Sequence, residues 1–244
     1  MLEAGIAMDH RLLSVKKHGY PVNAVQGNPA VRTLMTLVGP EAQRYRVHST
    51  TEAIPPNLGD ILPILTTDGH RSTRLKRYHN WFDFNPHSQR MDMLGVRWWI
   101  SDTPVEGLPE VGRVGKLIFY ERPTALPVFW LAQADGARAP APIANISWDV
   151  NSVKVEMEHP VSGLLVFAQP RYPGWRATAD DAKVSLTDDE IFMAVDLTTP
   201  ARSIEFRYAP FWFLPLLLLA MATLFACFAL CLAAAFRRKA DSAT

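Results

Sequence analysis

Residues 209 to 236, APFWFLPLLLLAMATLFACFALCLAAAF, carry no charged side chain, and Arg237, Arg238 and Lys239 follow at once. A bilayer core of about 30 Å needs about 20 apolar residues at about 1.5 Å each, so this stretch is long enough to cross with tilt. Phe211 and Trp212 fall where an aromatic belt lies, and Arg237, Arg238 and Lys239 where a cytoplasmic flank lies. These five residues are expected at the membrane interface, with the helix running from outside to inside. The bias is modest, because Arg202 and Arg207 lie close before the span. Pro215 falls in its first turns, where a missing backbone donor costs little. The lipid bilayer is therefore the first expected partner, with residues 1–208 extracytoplasmic and the basic tail 237–244 cytoplasmic.

Without span and tail, residues 1–208 hold 22 Lys and Arg against 23 Asp and Glu, a net charge of −1. A nucleic-acid binder normally carries a basic surplus, so that function class is excluded. Both cysteines, Cys227 and Cys231, lie inside the span, which leaves the preceding domain without a disulfide to form. The first residues, MLEAGIAMDHRLLSVKKHGYP, do not show a basic, apolar and small-residue export signal in order. A domain exported ahead of a helix 209 residues downstream is expected to be the C-terminal piece of a longer polytopic protein.

Punctuation and periodicity divide the rest. Residues 1–27 are expected to be a poorly structured leader or the start of a fragment. From 28 to 133 the pattern is mixed α/β. Asn28 and Pro29, an apolar stripe at Val31, Leu34, Met35 and Val38, then Gly39 predict a capped helix. Asn85 and Pro86 with Met91, Leu94 and Gly95 predict a second, running into a strand over 96–100. Residues 44–49 alternate Tyr45 and Val47 against Arg46 and His48, another strand. Six prolines between 104 and 142 confine strands there to 117–120 and 128–131. Residues 134–142, ADGARAPAP, read as an interdomain linker. Beyond it, runs at 146–150, 153–158, 164–168, 175–179, 191–195 and 204–208 predict an antiparallel β-sandwich over 143–208. The expected fold class is α+β, mostly β: β-sandwich-like extracytoplasmic structure with short helices, followed by one C-terminal transmembrane helix.

The segment PRYPGWRATADDAKVSL from 170 to 186, the strand at Phe192 and IEFRYAPFWFLP at the mouth of the span carry a resemblance. They resemble the C-terminus of the YfhO family of bacterial polytopic membrane proteins, where a Tyr-Pro-Gly-Trp turn precedes an Asp-Gly turn and a Phe-x-Tyr-x-Pro strand meets the final helix. MLGVRWWI at 93–100, Leu117 to Arg122 with Leu126 and Pro127, and Arg44 to Val47 with Asn57, Leu58, Arg77 and Tyr78 are similar to upstream family segments in the same order. The chain departs from the pattern at Asp180-Asp181, where the family has Asp-Gly and a looser turn is expected, and at Trp99, where it has a smaller residue.

The resemblance implies part of a glycosyltransferase that transfers sugar from a polyprenyl-phosphate donor to a cell-envelope glycopolymer in the bacterial cytoplasmic (inner) membrane. Donor, glycopolymer and the upstream membrane helices of the same protein are the implied partners. The family's general base lies in an early loop to which no part of this chain corresponds, so no catalytic residue is assigned and the chain alone is expected to be inactive. The alternative is a stand-alone, single-pass, membrane-anchored β-sandwich module for glycan or lipid binding or for assembly with other membrane proteins.

Candidate contacts are few. Arg71, Arg74, Lys76, Arg77 and Tyr78 lie in a basic and aromatic stretch suited to an anionic lipid or glycan, since guanidinium binds phosphate as a fork. The competing reading is a solvated loop. Trp175 is expected either to plug the sandwich or to stack on a saccharide. Asp180, Asp181, Asp188, Asp189 and Glu190 lack EF-hand spacing, and the histidines lack zinc-site spacing, so no metal and no cofactor is assigned.

Overall fold

The computed structural model describes residues 25, 27–51, 54, 58–67, 76–133 and 135–241, with residue 60 and residues 231–241 as backbone only. Among the described residues lie two sheets, four α-helices and two short 3₁₀ turns. Helix α1 (Pro29–Val38) forms where the caps predict it: the Asn28 side chain accepts the Ala30 N–H at 2.9 Å, and Gly39 closes the helix at φ +43°. Its apolar stripe, Val31, Leu34 and Val38, packs on Val47, Trp98, Ile100 and Phe119. Those four come from the first sheet, which orders β2 (Leu65–Thr66), β1 (Arg46–Ser49), β3 (Val96–Ser101), β5 (Leu117–Glu121) and β4 (Glu110–Val114). Strand β1 runs parallel to both β2 and β3, while β3, β5 and β4 are antiparallel.

Two short helices lie outside this sheet, α2 (Lys76–Trp81) and α3 (Gln89–Met93). The N-cap of α3 is Ser88, which accepts the Arg90 N–H at 3.3 Å, and not Asn85. Asn85 instead accepts the His87 N–H at 2.9 Å in a side-chain turn of its own, so the helix starts three residues later than the Asn-Pro signal predicts.

The second sheet is antiparallel and departs most from the sequence pattern. Its runs at 153–158 and 164–168 are one strand, β9 (Ser152–Pro170), and those at 191–195 and 204–208 are one strand, β13 (Phe192–Tyr208). The connections that read as loops between the runs are part of these strands, Asp196 pairing with Leu164 and Ala201 with Val161, with register shifts on both sides of Ala201. A straight strand would hold Met193 and Phe206 about 40 Å apart at about 3.3 Å per residue. Yet Phe167, which pairs with Met193, lies 5.3 Å from the Phe206 ring. The hairpin is therefore folded over on itself at its bulges, which is how strands pass between the walls of a sandwich.

One wall holds β8 (Ile143–Trp148), the start of β9, the end of β13, β10 (Trp175–Ala179) and β11 (Ala182–Val184). The other holds β6 (Phe129–Ala132), β7 (Arg138–Pro140), the end of β9, the start of β13 and β12 (Leu186–Asp189). Phe129, Phe167 and Phe206 fill the space between the walls, with Phe129 stacked on Phe167 at 4.5 Å. Trp130 and Val166, which alternate with them, are also fully buried. They share one hydrophobic cluster with Trp99, Ile118 and Tyr120 of the first sheet, so that wall is covered on both faces.

Three further expectations change. Arg138–Pro140 pair with β6 as β7, so the stretch read as a linker over 134–142 belongs in part to the sheet; its prolines are tolerated because β7 is an edge strand. Glu110–Val114 form β4 within the proline-rich region, on the other sheet's edge. The Asp180-Asp181 turn is tight, not loose: Ala179 pairs with Ala182, and both aspartates take φ values of +46° and +66°. Asp180 supports that geometry by accepting the Ser203 N–H at 2.8 Å and the Arg202 N–H at 3.2 Å.

Helix α4 (Phe213–Asp241) closes the chain. Its segment Phe213–Leu230 has a mean hydropathy of 2.5, and none of it is buried against the rest of the protein. It is long and apolar enough to cross a membrane, and an isolated helix with apolar residues on every side suits lipid rather than water.

Candidate functional site

The expected basic contact is divided by the structure. Arg71 and Arg74 lie outside the described residues. Lys76 and Arg77 open α2 and are exposed, whereas Tyr78 is half-buried. Arg77 is not free to bind a phosphate. It donates to Asp188 Oδ2 at 2.9 Å and to the Glu190 carbonyl. Asp188 also accepts Arg171 at 3.2 Å, while Glu190 accepts the Trp81 indole N–H at 2.7 Å and lies 3.4 Å from Arg138. The acidic triplet is thus a clasp that fastens α2 to the turn between β12 and β13, with Trp81 packed edge-on against Phe192 at 5.0 Å.

Electrostatics follow the pairing. Burial alone would raise the Asp188 carboxyl, but hydrogen bonds from Arg77 and Arg171 outweigh it and hold the group below its ordinary value. Asp189 moves the other way: burial raises it and Glu190 adds to the shift, against an opposing pull from Arg138. Among the described residues no group of three or more His, Cys, Asp or Glu side chains converges to hold a metal. A small space of about 70 Å³ between Arg44, Tyr45, Pro127, Phe129 and Ala141 is far below the roughly 300 Å³ of an ordinary ligand pocket.

Two buried arginines were invisible to the sequence pattern. Arg46 reads as the polar face of its strand, but that face lies against the sandwich and leaves the residue 7% exposed. Its guanidinium donates to the Leu94 carbonyl beyond the end of α3 and to Gln169 Oε1 at 3.4 Å. Burial lowers its pKa to about 10, against a raising influence from Tyr78. Arg122 holds the same helix from the other side, through Asp92 at 2.5 Å and the Ser88 and Val96 carbonyls at 3.1 Å. Arg46 ties the end of α3 to β1 and β9, and Arg122 ties α3 to β3; no periodicity signal marks a polar residue that is buried between two layers.

Trp175 stands at the mouth of α4. It is half-buried, 5.5 Å from the Tyr208 ring and 6.4 Å from Phe167, so it borders the sandwich core instead of filling it. The preceding Gly174 has φ +110°, a region L side chains rarely enter, and a Cβ there would meet Pro210 Cα and Tyr208 Cε2 at 3.1 Å. Its carbonyl accepts the Ala209 N–H at 2.8 Å. Gly174→Ala is therefore expected to lower stability by about 2 to 3 kcal/mol, readable as a drop in the urea midpoint of the chain in detergent. Among the interface candidates, Phe211 is 77% exposed and stacks edge-on with half-buried Trp212 at 5.1 Å. Arg237, Arg238 and Lys239 continue the backbone of α4. No family model, no curated protein and no solved structure matches this chain.

Proposed function

We propose that the chain is the C-terminal extracytoplasmic domain and last membrane helix of a YfhO-like membrane glycosyltransferase, non-catalytic by itself. In this reading the full enzyme moves sugar from a polyprenyl-phosphate donor to a cell-envelope glycopolymer. Residues 1–208 stand outside the bacterial cytoplasmic membrane and the C-terminus inside. The observation that carries the reading is the Tyr172-Pro173-Gly174-Trp175 turn, bonded through Gly174 to the first residue after β13. It gives the resemblance a physical reason: Gly174 takes φ +110° against Pro210, and Trp175 lies 5.5 Å from the Tyr208 ring at the entrance to α4.

Two further features support it. Ala220, Thr223 and Cys227 line a shallow groove on α4 with Leu216, Leu219 and Leu224, and small residues at such spacing let another helix approach closely. Upstream helices of the same protein are the proposed occupants. Asp188 and Glu190, in the turn between β12 and β13, are held by arginines, which leaves them poorly placed as a general base. In membranes of the native host, an antibody against residues 143–208 is expected to detect a product much larger than this chain. The isolated chain in vesicles is expected to transfer no sugar from labelled polyprenyl-phosphate sugar. A product of the size of this chain alone would favour the stand-alone module, and transfer by the isolated chain would refute the non-catalytic role.

A further inference from the structure

The sandwich is fastened to α4 without a free linker. Strand β13 ends at Tyr208 and the helix begins at Phe213. In between, Tyr208 donates its N–H to the Asn151 carbonyl at 2.7 Å, and Ala209 to the Gly174 carbonyl at 2.8 Å. The acceptors lie in the β8–β9 and β9–β10 connections, so two loops of the sandwich meet the chain at the helix mouth. Four connecting residues span at most about 14 Å. With α4 across a bilayer, this end of the sandwich is held at the depth of the lipid headgroups.

The chemistry of that end fits the position. Outside α4, the large apolar side chains exposed among the described residues are Phe84, Val150 and Phe211. Two of the three are here: Phe211 in the connection itself, and Val150, 54% exposed, beside the Asn151 that holds Tyr208. Exposed apolar residues that gather at one rim, rather than scatter, mark a contact surface. The charges point the same way. Next to the Trp175–Tyr208 rung, Arg176 of β10 stands directly opposite Arg207 of β13, and both are exposed. Their strand neighbours Ala177 and Phe206 are buried, so the two arginines face away from the core. Like charges directly opposite on a sheet repel. Arg207 engages Glu205 at 2.8 Å, and Arg176 has no ion-pair partner among the described residues.

We propose that this end of the sandwich is a lipid contact, in which Val150 and Phe211 enter the interface beside α4 and the Arg176–Arg207 rung binds the phosphate of an anionic phospholipid. A phosphate beside the rung balances Arg176, whose charge is unmatched among the described residues, while Arg207 keeps Glu205 and offers its remaining N–H groups. Trp175, Tyr208 and Trp212 supply the aromatic belt around them. The proposal rests on the membrane-spanning part of the proposed function; it requires neither transferase activity nor a particular side of the membrane.

Its test uses the full chain in vesicles of phosphatidylcholine with or without phosphatidylglycerol. In one arm Val150→Cys carries an environment-sensitive fluorophore, with Cys227 and Cys231 replaced by alanine. Blue-shifted emission, quenched by spin-labelled lipid and shielded from aqueous iodide, is expected; a fluorophore open to iodide and untouched by lipid quencher overturns the insertion. In the other arm, energy transfer from tryptophan to labelled lipid measures the annular preference for phosphatidylglycerol. The double variant Arg176→Glu/Arg207→Glu is expected to lower that preference about tenfold. Arg176→Gln/Arg207→Gln is expected to lower it by less, with unchanged β-sheet circular dichroism as the folding control. An unchanged preference in the folded glutamine variant overturns the phosphate contact. Loss of transferase activity in the larger protein would leave both arms as they are, so the two readings fail separately.

Discussion

Replacing Phe167 with alanine is expected to destabilise the domain by about 3 to 5 kcal/mol. The ring is 2% exposed and is the one that both walls of the sandwich share. It stacks on Phe129 at 4.5 Å and lies 5.3 Å from Phe206, 5.9 Å from Trp148 and 6.4 Å from Trp175. Removing it opens a cavity that two long, continuous strands cannot readily close, because their backbones are fixed by pairing along most of their length. Phe84→Ala is the matched control: that ring is 61% exposed, and its loss is expected to change stability by less than about 1 kcal/mol. Urea unfolding in detergent, followed by near-ultraviolet circular dichroism, separates the two. Equal midpoints would mean that the walls do not meet at Phe167.

Asp92→Ala is expected to cost about 3 to 5 kcal/mol by a different route. Arg122 is 2% exposed, and Asp92 at 2.5 Å is the carboxylate that balances it. Its remaining contacts, the Ser88 and Val96 carbonyls, satisfy donors but not charge. Breaking a buried pair from one side strands the other charge in a low dielectric, which costs more than the pair contributed. The double variant Asp92→Ala/Arg122→Met is therefore expected to recover part of the loss, as measured in the same unfolding assay. A double variant no more stable than Asp92→Ala would show that the penalty comes from α3 itself and not from the stranded arginine.

How legible the molecule is in its sequence depends on where each signal resides. Local chemistry is read directly: the Asn28, Pro29 and Gly39 caps of α1, the alternation in β10, and the charge-free run of α4 all appear where composition and period place them. Long-range pairing is not. His159, Pro160 and Ser162 read as a loop because a bulged corner at the solvent edge of a sandwich needs no apolar residue. Edge strands hide for a similar reason, since β4 and β7 tolerate glycine and proline where a central strand would not. The candidate site was the least legible part. The basic run read either as an anion contact or as a solvated loop, whereas Arg77 is engaged by Asp188, more than a hundred residues away, and Arg46 and Arg122 are buried by layers that form only on folding. Charge reversal at Arg77 thus removes a clasp as well as a cation, which makes it a poor probe of lipid binding.

With α4 in a membrane, the β-rich domain is held against one face of it, and residues 1–208 are proposed to be outside. Trypsin treatment of sealed spheroplasts, followed with antibodies against residues 143–208, tests this placement most directly. Digestion of the domain from outside is expected, while the membrane keeps the α4 fragment after alkaline carbonate extraction. A domain protected until the membrane is permeabilised would contradict the proposed orientation, and a chain released by carbonate would contradict the membrane helix itself.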